Sequence, residues 1–217
     1  GGIGPAIFGT VTLTMLMTVA VVPVGIATAI YLTEYSRRGS RLGRWIRAAV
    51  QNLAGVPSIV FGLFGLGFFV LFVGGSLDQA MGHSRPIWAR PSILWSSLTL
   101  AVLTLPVVIA TSEEAIRSVP RDLRDAASGL GATQSQVIFK VVLPRAKAGI
   151  LTGVILAISR GAGEVAPLIF TGVANYLSEL PHAATDMYMH LGYHVYALST
   201  QSPDVDAARP SLFGTVM

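Results

Sequence analysis

Four stretches of this chain carry almost no charge, and that fact limits its folds more than any other. No charged residue precedes Glu34, Ala48 to Leu77 supplies 30 uncharged residues, and Pro91 to Ser112 supplies 22. Between Lys147 and Glu179 only Arg160 and Glu164 interrupt 31 residues. A helix needs about 20 apolar residues to cross a hydrocarbon core about 30 Å thick. Inside lipid the backbone amides find no water, so open strands and loops cannot span it. The expectation is an all-α, multi-pass transmembrane helical bundle, one domain over 1–217. Its spans are expected at about 6–32, 48–74, 91–114 and 146–172, with a further span starting at about 210–217.

Composition agrees. Only 12% of residues are charged and 52% are hydrophobic, with a mean hydropathy of +0.63. A soluble domain carries about 25% charged residues, so the composition argues against an ordinary soluble enzyme, and it rules out disorder. The absence of cysteine removes disulfides, thiolate metal sites and cysteine nucleophiles. The first stretch is not expected to be a signal peptide: it lacks a basic leader and exceeds an apolar segment of about 7–15 residues. The chain opens on Gly1-Gly2, without Met, and its last apolar run from Pro210 to Met217 is too short to span, so a fragment is expected.

Basic residues concentrate in cytoplasmic loops. Arg37, Arg38, Arg41, Arg44 and Arg47 occupy the first connection, and Arg117, Arg121, Arg124, Lys140, Arg145 and Lys147 the third. Those loops are expected inside and residue 1 outside. Trp88 and Trp95 are then expected at the outer interface, with Tyr31, Tyr35 and Trp45 at the inner one. The net charge of +4 needs no nucleic-acid partner to explain it.

The long connection over 117–145 holds the most local information. Ser118 is expected to cap a short helix with Pro120 in its first turn. Leu123, Ala126, Ala127 and Leu130 recur at i, i+3, i+4 and i+7, an apolar stripe. Gly129 and Gly131 can end that helix in a left-handed turn. Thr133 with Gln136 forms a capping box for a second helix, which Pro144 is expected to stop. Three uses of the stripe stay open on pattern alone: a partner protein, the lipid interface, or this chain's own spans.

The run D-A-A-S-G-L-G-A-T-Q-S-Q-V-I-F-K-V-V-L-P from Asp125 to Pro144 resembles the EAA signature of ABC importer permeases. Asp125, Ala126, Ala127, Gly131, Leu143 and Pro144 fall on its positions, with Asp125 in place of the usual Glu and Val141 in place of the usual Ile. Further stretches resemble the PstA-type permease subunits of phosphate importers: Gly1 to Thr10, Gly55 to Leu66, Thr111 to Pro120, and Ser159 to Gly172. The resemblance implies a MetI-like permease fold of type I importers, with six spans, of which the first and most of the last are not in this sequence. It also implies an ATPase-coupling role for Leu123, Asp125, Ala126, Ala127, Leu130, Gly131, Leu143 and Pro144. The implied partners are a PstC-type permease, two PstB-type ATPase subunits and a PstS-type phosphate-binding protein, all at the cytoplasmic membrane. No cofactor is implied in this chain; ATP and Mg belong to the ATPase.

Arg160 and Glu164 are the candidate substrate-pathway residues. A charge at the bilayer centre costs at least about 2.5–3.5 kcal/mol and is normally paired or faces water. One reading is a mutually satisfied pair that locks helices together. In the other, the planar fork of Arg160 receives a tetrahedral oxyanion while Glu164 holds it when no anion is present. Phosphate, sulfate and molybdate suit one arginine equally, and an ion-coupled carrier with this pair as its charge relay stays open. Gly149, Gly153, Gly161 and Gly163, with the G-L-F-G-L-G run from Gly62 to Gly67, read as packing notches. Glu113 and Glu114 read as a solvated helix end, and Glu113 with Arg117 as an i, i+4 pair. His190 and His194 have metal-ligand spacing, but Leu191 stands where H-E-x-x-H needs glutamate, so no metal site is expected and an outer-face segment is. No G-x-x-x-x-G-K-[ST] occurs, so energy from ATP must come from another subunit.

Overall fold

A computed structural model describes residues 3–36, 40–177, 180–201 and 212–216. Helix α1 is Gly4–Tyr35, α2 is Arg41–Ala54, α3 is Ser58–Ala80 and α4 is Ile93–Arg117. A short α5, Arg121–Gly129, precedes the long α6, Gln134–Gly163, which is followed by α7, Leu168–Thr171, and α8, Leu191–Thr200. Among the described residues no strand forms; an isolated bridge joins Val173 and Tyr188. Helices α1, α3, α4 and α6 are long and apolar enough to cross a membrane.

Two of these helices end where prolines dictate. The second span was expected from 48, but α3 begins at Ser58. Residues 41–54 form a separate amphipathic helix, closed by Gly55 and by Pro57, which disfavours helix at the residue before it. The fourth was expected to run to 172, but α6 ends at Gly163. Pro167 disfavours helix at Ala166 and instead starts the short α7. Pro144 does not stop a separate helix. It sits within α6, two residues after a π-helical stretch over Val137–Val142. That wider turn relieves the conflict between a proline ring and the carbonyl four residues back. The further span expected over 210–217 falls mostly outside the described residues, where 212–216 are helical.

The chain forms two compact units, and α1, α4 and α6 each contribute to both. The first comprises Gly1–Met17, Val56–Val102 and Arg160–Met217. Its core holds Leu13, Met17, Val70, Ile93, Leu100, Leu168 and Tyr188. Glycines let its segments approach. A Cβ added at Gly62 would lie 2.7 Å from the Pro167 Cα, whereas one at Gly67 would meet nothing within 4 Å. Asp78, 6% exposed, holds the connection after α3. Its carboxylate accepts the N–H groups of Ile87, Trp88 and Ala89 at 2.8–3.2 Å. Trp95, expected at the outer interface, is buried, and its Nε1 donates to the Trp88 carbonyl at 2.7 Å.

The second unit comprises Thr18–Gly55 and Leu103–Ser159. Its core gathers Ala29, Ala115, Ile116, Val119, Val137, Val142, Ala146 and Ile150. Gly149 and Gly153 face Ala115 and Thr111 of α4, with no room for a side chain at either glycine. Small residues of this kind let helices pack where lipid supplies no hydrophobic drive.

The glycine contacts give a controlled comparison. Gly62→Ala is expected to destabilise the purified full-length protein by about 1–3 kcal/mol through overpacking. Gly67→Ala, facing open space, should leave its melting temperature unchanged or slightly raised. Equal melting temperatures for both variants would contradict the packing at Pro167.

Candidate functional site

Arg160 lies in the last turn of α6, where a cation suits the negative end of the helix dipole. Glu164 falls one residue past the helix end, its N–H reaching the Gly161 carbonyl at 3.4 Å. The two side chains meet at 3.5 Å, Arg160 Nε to Glu164 Oε1, with the arginine 45% and the glutamate 17% exposed. The pair thus sits at a broken helix, not along a continuous one. Non-helical backbone at membrane depth persists only where it lines a cavity or is buried in protein. Beside it, Gly161 faces the Met17 sulfur at 2.5 Å from a would-be Cβ, while Gly163 faces open space.

The second group of candidates lies around α5. The helix starts at Arg121 with Pro120 before it and no side-chain cap. Ser118 was expected as that cap, but its hydroxyl donates to the Ala115 carbonyl at 2.8 Å and closes α4 instead. At the far end the glycine reading holds for Gly131, while Gly129 stays in the helix. Gly131 has φ +84°, its N–H reaches the Ser128 carbonyl at 3.0 Å, and the Ala132 N–H reaches the Ala127 carbonyl at 3.1 Å. Those two bonds define a Schellman motif, which satisfies carbonyls that the helix end leaves free. Thr133 and Gln136 form the capping box, at 3.0 and 3.4 Å.

The apolar stripe divides. Leu123 and Ala127 pack on the chain's own cluster with Ala132 and Leu143. Ala126 and Leu130 face outward, Leu130 at 90% exposure, and Asp125 and Pro144 are also exposed. The loop therefore uses half of the stripe for its own seat and presents the other half, with Phe139 at 63% exposure on α6.

Three arginines hold this region, and none of their long-range pairings has a local sequence signal. Arg124 pairs with Glu34 at the end of α1 and donates to the Ile116 carbonyl at 2.6 Å. Arg47 of α2 donates to Glu113 at 2.8 Å and to the Leu32 carbonyl at 2.9 Å. Arg117 reaches the same Glu113 oxygen at 3.3 Å. The i, i+4 pair thus forms, but Glu113 is only 14% exposed, an anchor for α2 and not a solvated helix end.

Of the two histidines, His190 is buried and His194 is half-buried. His190 is 1% exposed, next to the equally buried Tyr188 and Met189, and neither of its ring nitrogens has a partner among the described residues. Burial pushes its pKa down to about 4, so the imidazole is neutral at pH 7.

Residues 21–189 match the family described as binding-protein-dependent transport system inner membrane component. The chain belongs to that family. It is 37% identical over 175 residues to the phosphate transport system permease protein PstA of Xylella fastidiosa, covering 81% of this chain and 56% of that one. It is 36% identical over 176 residues to a probable PstA of Methanocaldococcus jannaschii, covering 81% of this chain and 57% of that one. The probable ABC transporter permease protein YqgI of Bacillus subtilis is 31% identical, covering 95% of this chain and 70% of its own length. The chain thus spans little more than half the length of the PstA relatives it matches. Among solved structures, the MetNI methionine ABC transporter in an inward-facing form aligns with TM-score 0.65 at 20% identity, covering 97% of this chain and 86% of that one. The fold is that of type I ABC importer permeases, and the protein is membrane-embedded.

The Schellman turn predicts a local effect. Gly131→Val forces a branched side chain into the left-handed region at a cost of about 1–2 kcal/mol. Hydrogen exchange of the Ala132 amide should quicken by about 5- to 30-fold in consequence. Gly129→Ala, a helical position in open space, should slow exchange or leave it unchanged. Unaltered exchange in Gly131→Val would contradict the turn.

Proposed function

We propose that this chain is a permease subunit of an ATP-driven importer that carries inorganic phosphate across the cytoplasmic membrane. The observation that carries the substrate is the similarity to PstA proteins at 36–39% identity over about four fifths of the chain. The Arg160–Glu164 pair at the break after α6 supports it chemically. An arginine fork offers two parallel N–H donors to a tetrahedral oxyanion. A partly exposed guanidinium held by one carboxylate at 3.5 Å keeps donors available for such a ligand.

In this reading a PstC-type permease completes the pathway, two PstB-type ATPase subunits grip the 119–143 loops, and a PstS-type protein delivers phosphate outside. The exposed half of α5, with Asp125, Ala126 and Leu130, seats in the ATPase; the buried half, with Leu123 and Ala127, ties it to α4 and α6. Leu143 and Pro144 follow the π-helical stretch of α6, and Gly131 sets the turn between the two helices. ATP and Mg bind the partner ATPase and supply the driving energy there. Closure of that ATPase pair shifts α5, and the long helices carry the motion to the pathway.

Labelled-phosphate uptake by cells carrying the full-length gene tests the reading. Arg160→Gln removes a charge-assisted bond worth about 1.5–3 kcal/mol, so uptake should fall by about 10- to 100-fold with the complex still assembled. Excess sulfate should not compete. Full uptake in the variant would reduce the pair to packing, and strong sulfate competition would remove phosphate as the substrate. Uptake that survives loss of the ATPase would favour an ion-coupled carrier.

A further inference from the structure

A cavity of about 600 Å³ lies at the arginine-rich end of the second unit. It falls within the roughly 300–1,000 Å³ of small-molecule sites. Its walls carry Arg44 and Arg47 of α2, Arg117 of α4, and Arg121 and Arg124 of α5, against the carboxylates of Glu34 and Asp125. Glu113 binds Arg47 and Arg117, and Glu34 binds Arg124. Arg44 and Arg121 have no ion-pair partner among the described residues, and both are exposed. Even with Glu113 counted, positive charge remains in excess, so the cavity suits an anion.

The depth of the cavity narrows the choice. It opens where α1 and α4 end, at Glu34 and Arg117, which is where the apolar zone of each helix stops. Helix α2 turns Gly43, Arg44 and Arg47 into the cavity, beside its capping residue Ser40. On another face it exposes Leu42 at 57% and Trp45 at 76%. A helix with basic residues on one side and exposed Trp and Leu on the other lies in the membrane interface. Its apolar face enters the lipid, and its basic face stays level with the headgroups. Basic pockets at this depth between spanning helices bind anionic lipid headgroups.

We propose that this cavity binds the headgroup phosphate of an anionic phospholipid, received by Arg44 and Arg121. The ion pairs behind them position the other three arginines: Arg47 and Arg117 on Glu113, and Arg124 on Glu34. A bound lipid then bridges α2 and α5 through one phosphate group. This assignment does not depend on which solute the protein carries.

The test uses the full-length protein with the subunits that co-purify, stripped of lipid in detergent. It is then offered phosphatidylglycerol or phosphatidylcholine, and retained lipid is measured by mass spectrometry. Phosphatidylglycerol should be retained in preference. Arg44→Gln and Arg121→Gln should each weaken its retention about fivefold, and the pair of substitutions by more. Arg44→Lys with Arg121→Lys should keep most of it, which separates lost charge from lost folding. Equal retention of the two lipids, or unchanged retention in the doubly neutral variant, would overturn the proposal. Inorganic phosphate bound by the wild type and lost in that variant, without preference for phosphatidylglycerol, would assign the cavity to free anion instead. Loss of the ATPase subunit from that variant with lipid retention unchanged would assign it to an acidic protein surface, which also overturns it.

Discussion

One guanidinium ties the short helix of the long connection to the spanning helices. Arg124 pairs with Glu34 at the end of α1 and donates to the Ile116 carbonyl near the end of α4. Its side chain is 20% exposed and that of Glu34 is 11%, so the pair is shielded from water. Removing one partner of a buried pair costs about 3–5 kcal/mol, because the other charge is left uncompensated. The apolar seat beneath it, Leu123 and Ala127 on Val119, Val137 and Val142, is not directional. The charge pair supplies the direction. The Schellman turn at Gly131 and the capping box at Thr133 then fix how α5 passes into α6.

The bilayer explains the rest of the architecture. Long helices form because lipid leaves no other partner for backbone amides. The polar residues of α4 obey the same constraint at side-chain level. Ser97 donates to the Leu94 carbonyl and Thr99 to the Trp95 carbonyl, so these buried hydroxyls find partners within their own helix. Where the helix stops at Gly163, the chain does not become loose. The Ser92 N–H reaches the Thr171 carbonyl at 2.9 Å, Ser96 bonds the Thr171 hydroxyl at 3.0 Å, and the Ala174 N–H meets the Tyr188 carbonyl at 2.8 Å. These bonds support the segment that follows Glu164.

Features set by neighbours in sequence were legible, and those set by distant partners were not. The turn at Gly131 and the capping box needed only a few adjacent residues, and both formed as read. Uncharged length suggests helix from 48 and to 172, but Pro57 and Pro167 set the limits, because they act on the backbone whatever the hydropathy. The stripe Leu123, Ala126, Ala127 and Leu130 reads as one face, yet small rotations decide that 123 and 127 go inward while 126 and 130 face outward. Arg124 and Glu34 stand 90 residues apart, and Arg47 and Glu113 stand 66 apart. No spacing rule reaches that far. Arg160 and Glu164 stand out in the sequence because charge within a long apolar run is rare, but the helix break between them depends on Pro167.

If α5 moves with an ATPase as proposed, the Arg124–Glu34 pair is the link that carries that motion to α1 and α4. A double-mutant cycle on ATP-dependent uptake by the full-length protein tests it most directly, using Arg124→Gln, Glu34→Gln and both. If the two residues act as one device, each substitution lowers uptake and the double variant loses no more than Arg124→Gln alone. Losses that simply add, or normal uptake in Arg124→Gln, would contradict the account.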